Sequence, residues 1–231
     1  MSALVEVVAR TRNLFLEFDG PICSVFAGYP APKIADELRR VVVEDGHELT
    51  TEMRETTDPV QVLRLAGDLD DLLAHRVADA LRNAELVAAT SAEPTPGVDD
   101  VIEAALDGGR RLAVVSNNSG EAVPAYLRRV GLLQHFVGVV GRYDGMPPAR
   151  MKPNNHLIGL CLMGTGSAIE LTALVGDTVP DIKAARSLFM ASIGYANEPG
   201  KSESLADAGA DAVITEMVVL ADAVASTPLR I

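Results

Sequence analysis

Leu14-Phe15-Leu16-Glu17-Phe18-Asp19-Gly20-Pro21-Ile22 is the stretch on which the reading of this chain turns. An apolar run drops into two carboxylates two positions apart, then a glycine and a proline. Side chains along a β-strand alternate with a period of two, so Glu17 and Asp19 at the end of a buried strand aim into one crevice. Two carboxylates there repel each other unless a cation or a proton lies between them.

Five further β-rich runs end in small or polar residues, at 112–115, 136–140, 171–175, 192–195 and 212–214; the first strand is expected at 14–18. From about residue 96 onward helical patterns separate these runs, at 98–106, 121–130, 154–163 and 179–189, and three of the four are closed by Gly108, Gly131 and Gly164. Such alternation predicts an α/β fold: a Rossmann-like parallel sheet with crossover helices. Right-handed crossovers gather the carboxyl ends of the strands on one edge, where open sheets bind their ligands.

Residues 28–92 break the rhythm. Segments 34–43, 59–66 and 69–88 read as helices with charges interspersed, and Pro94-Thr95-Pro96-Gly97 marks the return to the strand–helix pattern. An insertion of about 60 residues after the first strand predicts a lid over the sheet edge. The expected division is an α/β core of residues 1–25 and 93–231 with an α-helical cap at 26–92; the alternative is helices padding one face of a single domain.

Composition narrows the partners. The 231 residues are 48% apolar but only 4% aromatic, without Trp, so the interior is expected to be aliphatic. A formal net charge of −12 argues against nucleic acid, which needs a basic face; it leaves room for a small phosphorylated ligand in a local positive pocket. Residues 1–12 are too polar for a secretory leader, and no apolar run approaches the ~20 residues of a membrane span. Cys23 and Cys161 fit reduced thiols of a cytoplasmic protein, and His47, His75, His135 and His156 have no metal-ligand spacing.

Four segments at strand ends or helix starts concentrate polar chemistry: Glu17-Phe18-Asp19-Gly20, Ser116-Asn117-Asn118-Ser119, Met151-Lys152-Pro153 and Gly176-Asp177-Thr178-Val179-Pro180-Asp181. Taken together and in this order, they resemble the four motifs of the haloacid dehalogenase-like (HAD) hydrolase superfamily. The position of the helical insertion resembles the branch of phosphoglycolate phosphatases. The likeness implies a Mg²⁺-dependent phosphatase of a small phosphorylated metabolite. Glu17 matches the nucleophile that attacks phosphorus, and Asp19 matches the general acid and base. Ser116 and the Asn117 amide match the phosphoryl-binding motif, and Lys152 matches the lysine that neutralises nucleophile and phosphate. Asp177 and Asp181 match the acids that hold Mg²⁺, completing with Glu17 and Asp19 the implied carboxylate set. These residue types suit the chemistry: Mg²⁺ takes one or two carboxylates plus phosphate and water, and screens an incoming dianion.

Two positions depart from the family pattern. Glu17 stands where the family has aspartate, and moving a carboxylate by about 1 Å costs on the order of 10²-fold in rate. Pro21 stands where threonine is usual. The resemblance therefore also admits an impaired or non-enzymatic phospho-ligand-binding protein, or a phosphomutase of the same fold. Arg39, Arg40, Arg54 and Arg64 in the insertion are candidate anion contacts. Gly200-Lys201-Ser202 ends like a phosphate-binding loop, but Tyr195 occupies the position of its first glycine, so Ser202 or Ser204 is expected to cap a short helix.

Overall fold

Apolar runs that alternate between two buried faces build one sheet in the computed structural model, which describes residues 2–229. The strands are β1 (Asn13–Leu16), β2 (Cys23–Ser24), β3 (Glu93–Pro94), β4 (Arg111–Ser119), β5 (Phe136–Arg142), β6 (Thr172–Gly176), β7 (Ala191–Tyr195) and β8 (Ala212–Ile214). Six of them pair in the order β5-β4-β1-β6-β7-β8, every neighbour parallel. Counted within that sheet this is the doubly wound order, which reverses direction between β1 and β6 and opens a crevice beyond their carboxyl ends. Leu14, Leu16, Leu112, Val114, Ala173 and Val175 face one core layer, whereas Phe15, Ala113, Val115 and Leu174 face the other. Burial on both faces is why these strands read as continuous apolar runs.

The helices are α1 (Ala3–Arg10), α2 (Ala31–Glu44), α3 (Thr51–Glu55), α4 (Pro59–Leu69), α5 (Asp71–Ala89), α6 (Val98–Asp107), α7 (Ala122–Arg129), α8 (His156–Thr165), α9 (Val179–Ser187), α10 (Lys201–Asp207) and α11 (Met217–Ala225). α1, α6, α7 and α11 supply the first layer, and α8 and α9 the second. The polar N-terminal stretch is itself a helix, capped by Ser2 and burying Leu4, Val7 and Val8 at helical spacing. No helix among the described residues is long and apolar enough to cross a membrane.

Helices α2 to α5 leave the sheet at β2 and return at β3, and these two short strands pair antiparallel, Cys23 with Pro94 and Ser24 with Glu93. Neither strand is visible in the sequence pattern, because two residues carry no period. Ile34, Leu38 and Val42 of α2 pack against Val62, Leu63 and Ala66 of α4 and Leu73, Val77 and Leu81 of α5. Asp58 and Asp70 cap α4 and α5, accepting from the Val60 and Leu73 amides at 2.8 and 2.9 Å. This helical core is continuous with the second sheet layer through Met146 and Met151. Two expectations fail: Gly164 does not close its helix but lies inside α8, which runs on to Gly166 in the left-handed region at φ 63°, and Ser202 and Ser204 lie inside α10, whose N-cap is Gly200 in the left-handed region at φ 85°. Glycine suits that conformation, so no side-chain cap is made.

Candidate active site

Strand β1 delivers two carboxylates to the crevice because its pairing continues one step further. The Glu17 amide donates to the Val175 carbonyl at 2.9 Å. Phe18 then turns into the first core layer and meets Tyr126 edge-on, centroids 5.3 Å apart. Glu17 and Asp19 are left on the opposite side. Gly20 follows at φ 106°, with its carbonyl accepting from Thr95 Oγ1 at 2.5 Å. A Cβ on Gly20 would lie 2.4–2.8 Å from the Asp177 carboxylate atoms, so only glycine lets the two segments approach.

Lys152 is the hub. Its side chain is 1% exposed, and its ammonium pairs with Glu17, lies 2.7 Å from Asp181 Oδ1 and donates to the Val115 carbonyl at 3.1 Å. Glu17 Oε1 accepts from Ser116 Oγ at 2.7 Å. The Lys152 backbone is clasped from both sides by Asn117: its amide donates to Asn117 Oδ1 at 2.8 Å, and Asn117 Nδ2 donates to its carbonyl at 3.2 Å. Arg64 of α4 reaches the same carbonyl. Asp181 Oδ2 accepts from the Thr178 amide at 3.0 Å and hydroxyl at 2.6 Å, so it also caps α9. Glu17, Ser116, Asn117, Lys152 and Asp181 thus form one buried network, with the lysine facing two carboxylates.

Asp19 and Asp177 flank that network. Burial pushes the Asp19 carboxyl up to about 7; the Val25 amide, donating to it at 3.0 Å, opposes this, and neighbouring Asp177 adds to it. Burial, reinforced by Asp181, also raises Asp177, while Lys201 opposes the shift. Asp177 Oδ2 accepts from Lys201 Nζ at 2.7 Å, but Oδ1 is buried without a partner. Among the described residues no group of three or more His, Cys, Asp or Glu is gathered as a metal cage. Glu17 and Asp181 already face the Lys152 ammonium. An orphaned carboxylate oxygen beside a second carboxylate of raised pKa does fit Mg²⁺, which needs only one or two such ligands.

Several participants lie outside the sequence motifs. Glu85 of α5 is fully buried and forms a two-pronged pair with Arg142 at the end of β5, at 3.2 and 2.9 Å. Glu85 also accepts from Asn118 Nδ2 at 3.1 Å and the Ser119 amide at 2.9 Å, and Asn118 Oδ1 accepts from Ser116 Oγ at 2.9 Å. No local pattern marks Glu85, one acidic residue on an amphipathic helix. Lys201 was signalled only by the Gly200-Lys201-Ser202 string. Of the four arginines singled out in the insertion, Arg39 and Arg54 hold carbonyls of that segment, Arg40 is exposed, and Arg64 reaches the site. Both cysteines are buried, and burial pushes their thiols up, away from nucleophilic ionisation.

A family described as haloacid dehalogenase-like hydrolase matches residues 33–195. A phosphoglycolate phosphatase of Agrobacterium fabrum is 30% identical over 102 residues, covering 44% of this chain and 42% of that protein. One from Vibrio vulnificus strain YJ016 is 30% identical over 131 residues, covering 56% and 55%. The chain therefore spans about half the length of the curated relatives it matches. Among solved structures, a predicted phosphatase from Clostridium acetobutylicum superposes with TM-score 0.73 at 16% identity, covering 92% of this chain and 97% of the other. CbbY from Rhodobacter sphaeroides in complex with phosphate superposes with TM-score 0.68 at 18% identity, covering 91% and 96%. At these identities the superpositions show a shared fold.

Proposed function

The chain belongs to the haloacid dehalogenase-like hydrolase family, and from that premise we propose that it is a cytoplasmic, Mg²⁺-dependent phosphatase of a small phosphomonoester, with Glu17 as nucleophile. The observation that carries this reading is the pairing of roles in the crevice. Glu17 is paired with the Lys152 ammonium and accepts from Ser116, while burial raises the Asp19 carboxyl to about 7, so that it holds a proton at near-neutral pH. Two carboxylates in such different surroundings suit a nucleophile and an acid.

The chemistry follows from the donors. Ser116 Oγ and the Lys152 ammonium take up phosphoryl oxygens, where charge spreads during transfer. A Glu17 oxygen attacks phosphorus, the bond to the leaving oxygen breaks, and Asp19 gives that oxygen its proton. Asp19, now ionised, removes a proton from the water that cleaves the glutamyl-phosphate, releasing inorganic phosphate and restoring Glu17. Held by Asp177, whose Oδ1 is free of a partner, Mg²⁺ would screen the dianion against the carboxylates and leave the Asp19 proton in place. Helices α2 to α5 act as the cap that excludes water and selects the leaving group, with Arg64 reaching the Lys152 carbonyl and Glu85 bonded to Asn118 and the Ser119 amide. Likeness to the phosphoglycolate phosphatases makes phosphoglycolate the first substrate to assay.

The test is phosphate release from phosphoglycolate, sugar phosphates, nucleotides and p-nitrophenyl phosphate, with Mg²⁺ and with EDTA. Wild type should turn over one of them, Glu17→Asp should be faster by about 10²-fold, the cost of a nucleophile misplaced by about 1 Å, and Asp19→Asn should be inactive. Zero release by both wild type and Glu17→Asp would refute the phosphatase reading. A second reading, ligand binding without turnover, is favoured by the engagement of both Glu17 oxygens; it predicts saturable phosphate binding with no release until Glu17 is shortened.

A further inference from the structure

We propose that Lys201 is a built-in counter-ion at the cation position of Asp177, and that a hard divalent ion binds by displacing it. The inference deepens the reading of the crevice as a Mg²⁺ site and rests on it. Four observations converge. Lys201 Nζ lies 2.7 Å from Asp177 Oδ2 and 2.7 Å from Asn197 Oδ1, and Asn197 Nδ2 reaches the same Asp177 oxygen at 3.5 Å. The ammonium is thus bound by oxygen donors, as a small hard cation would be. The other Asp177 oxygen is buried and unpartnered, so the carboxylate is only half compensated. Lys201 is the first residue of α10, where a cation meets the positive end of the helix dipole. That placement disfavours the lysine except for its pairing with Asp177. Its side chain is 24% exposed, unlike Lys152 at 1%, so a flexible four-carbon stem has an open path to water once the carboxylate is claimed.

The two lysines of the site therefore have different tasks. Lys152 is sealed among Glu17, Asp181 and the Val115 carbonyl, and stays. Lys201 leaves when a divalent ion arrives. Replacing an ammonium with a divalent ion on Asp177 supplies the charge a phosphate dianion requires, and it makes ion binding a competition. Wild-type affinity for Mg²⁺ should accordingly be weakened by the resident ammonium.

Isothermal titration of the full chain with Mg²⁺, and with Mn²⁺ followed by its paramagnetic resonance signal, reads this directly and without turnover. Lys201→Met, which keeps an unbranched side chain one atom shorter and removes the charge, should bind both ions at least about tenfold more tightly than wild type, since a like charge within a few ångströms has gone. Lys201→Arg should stay near wild type. Circular dichroism of each variant checks the fold, which a partly exposed helix-start residue is not expected to disturb. Equal or weaker ion affinity in Lys201→Met, with wild type still binding, overturns the counter-ion proposal alone. Absence of ion binding in every variant overturns the Mg²⁺ reading and this proposal with it.

Discussion

Truncating Glu85 to alanine should destabilise the protein more than any single change at its surface. The side chain is 0% exposed and its carboxylate accepts from both terminal nitrogens of Arg142, from Asn118 Nδ2 and from the Ser119 amide. Its removal leaves a guanidinium, itself 6% exposed, with the Asn117 carbonyl at 2.6 Å as its remaining acceptor. Breaking a buried ion pair from one side costs about 3–5 kcal/mol, because the surviving charge stays desolvated. In a protein of this size each kcal/mol lowers the melting temperature by roughly 2–4 °C, so Glu85→Ala should melt about 6–20 °C below wild type. The companion variant is Glu85→Leu with Arg142→Met, which removes both charges and refills the space; such replacements are commonly neutral or stabilising. Thermal and urea unfolding of wild type, both singles and the double would measure the coupling. A Glu85→Ala loss within about 0.5 kcal/mol, as at an exposed pair, or a double variant no better than the sum of the singles, would refute the reasoning. Because Glu85 belongs to α5 and its partners to β4 and β5, the same variants report on docking of the inserted helices against the sheet.

Three further outcomes follow from the site. In metal-free protein Asp19 binds its proton more tightly folded than unfolded, with a pKa raised from 3.8 to about 7. Its contribution to stability is then fully present below about pH 4 and lost as pH rises through about 7. Urea unfolding in EDTA should show Asp19→Asn gaining on wild type between pH 5 and pH 8, and a flat difference would count against it. Gly20→Ala should lose ion binding and stability together, since its Cβ would meet Asp177 at 2.4 Å in a left-handed backbone region; calorimetric affinity matching wild type would contradict this. Ser116→Ala removes the hydroxyl that links Glu17 to Asn118, and should lower kcat by about 10²-fold, as loss of one oxyanion donor does, while leaving the melting temperature within a few degrees.

The run Leu14–Asp19 shows how much local pattern can carry. Its apolar stretch specified a buried strand, and the alternation of Glu17, Phe18 and Asp19 put two carboxylates on one side, because strand periodicity is a property of the backbone itself. Two helix stops were legible for the same reason, since Gly108 and Gly131 end α6 and α7 through contacts with the preceding turn, whereas Gly164 lies inside α8, which runs on to Gly166. The two-residue strands Cys23–Ser24 and Glu93–Pro94 were not legible, since each is defined only by its partner some 70 residues off. Ser202 and Ser204 were misplaced because Gly200, a left-handed cap without a side chain, began α10 two positions earlier than a hydroxyl cap would.

What the sequence determined unaided was the parallel α/β class, the inserted helices and the ordered series of polar strand ends, all encoded by neighbours within a few positions. What the tertiary structure alone decided was who meets whom in the crevice: Glu85 with Arg142, Lys152 between Glu17 and Asp181, Lys201 on Asp177. Those pairings join residues 24 to 135 positions apart, and no local rule reaches across such distances. Only burial, which makes an unpaired charge costly, selects the partner.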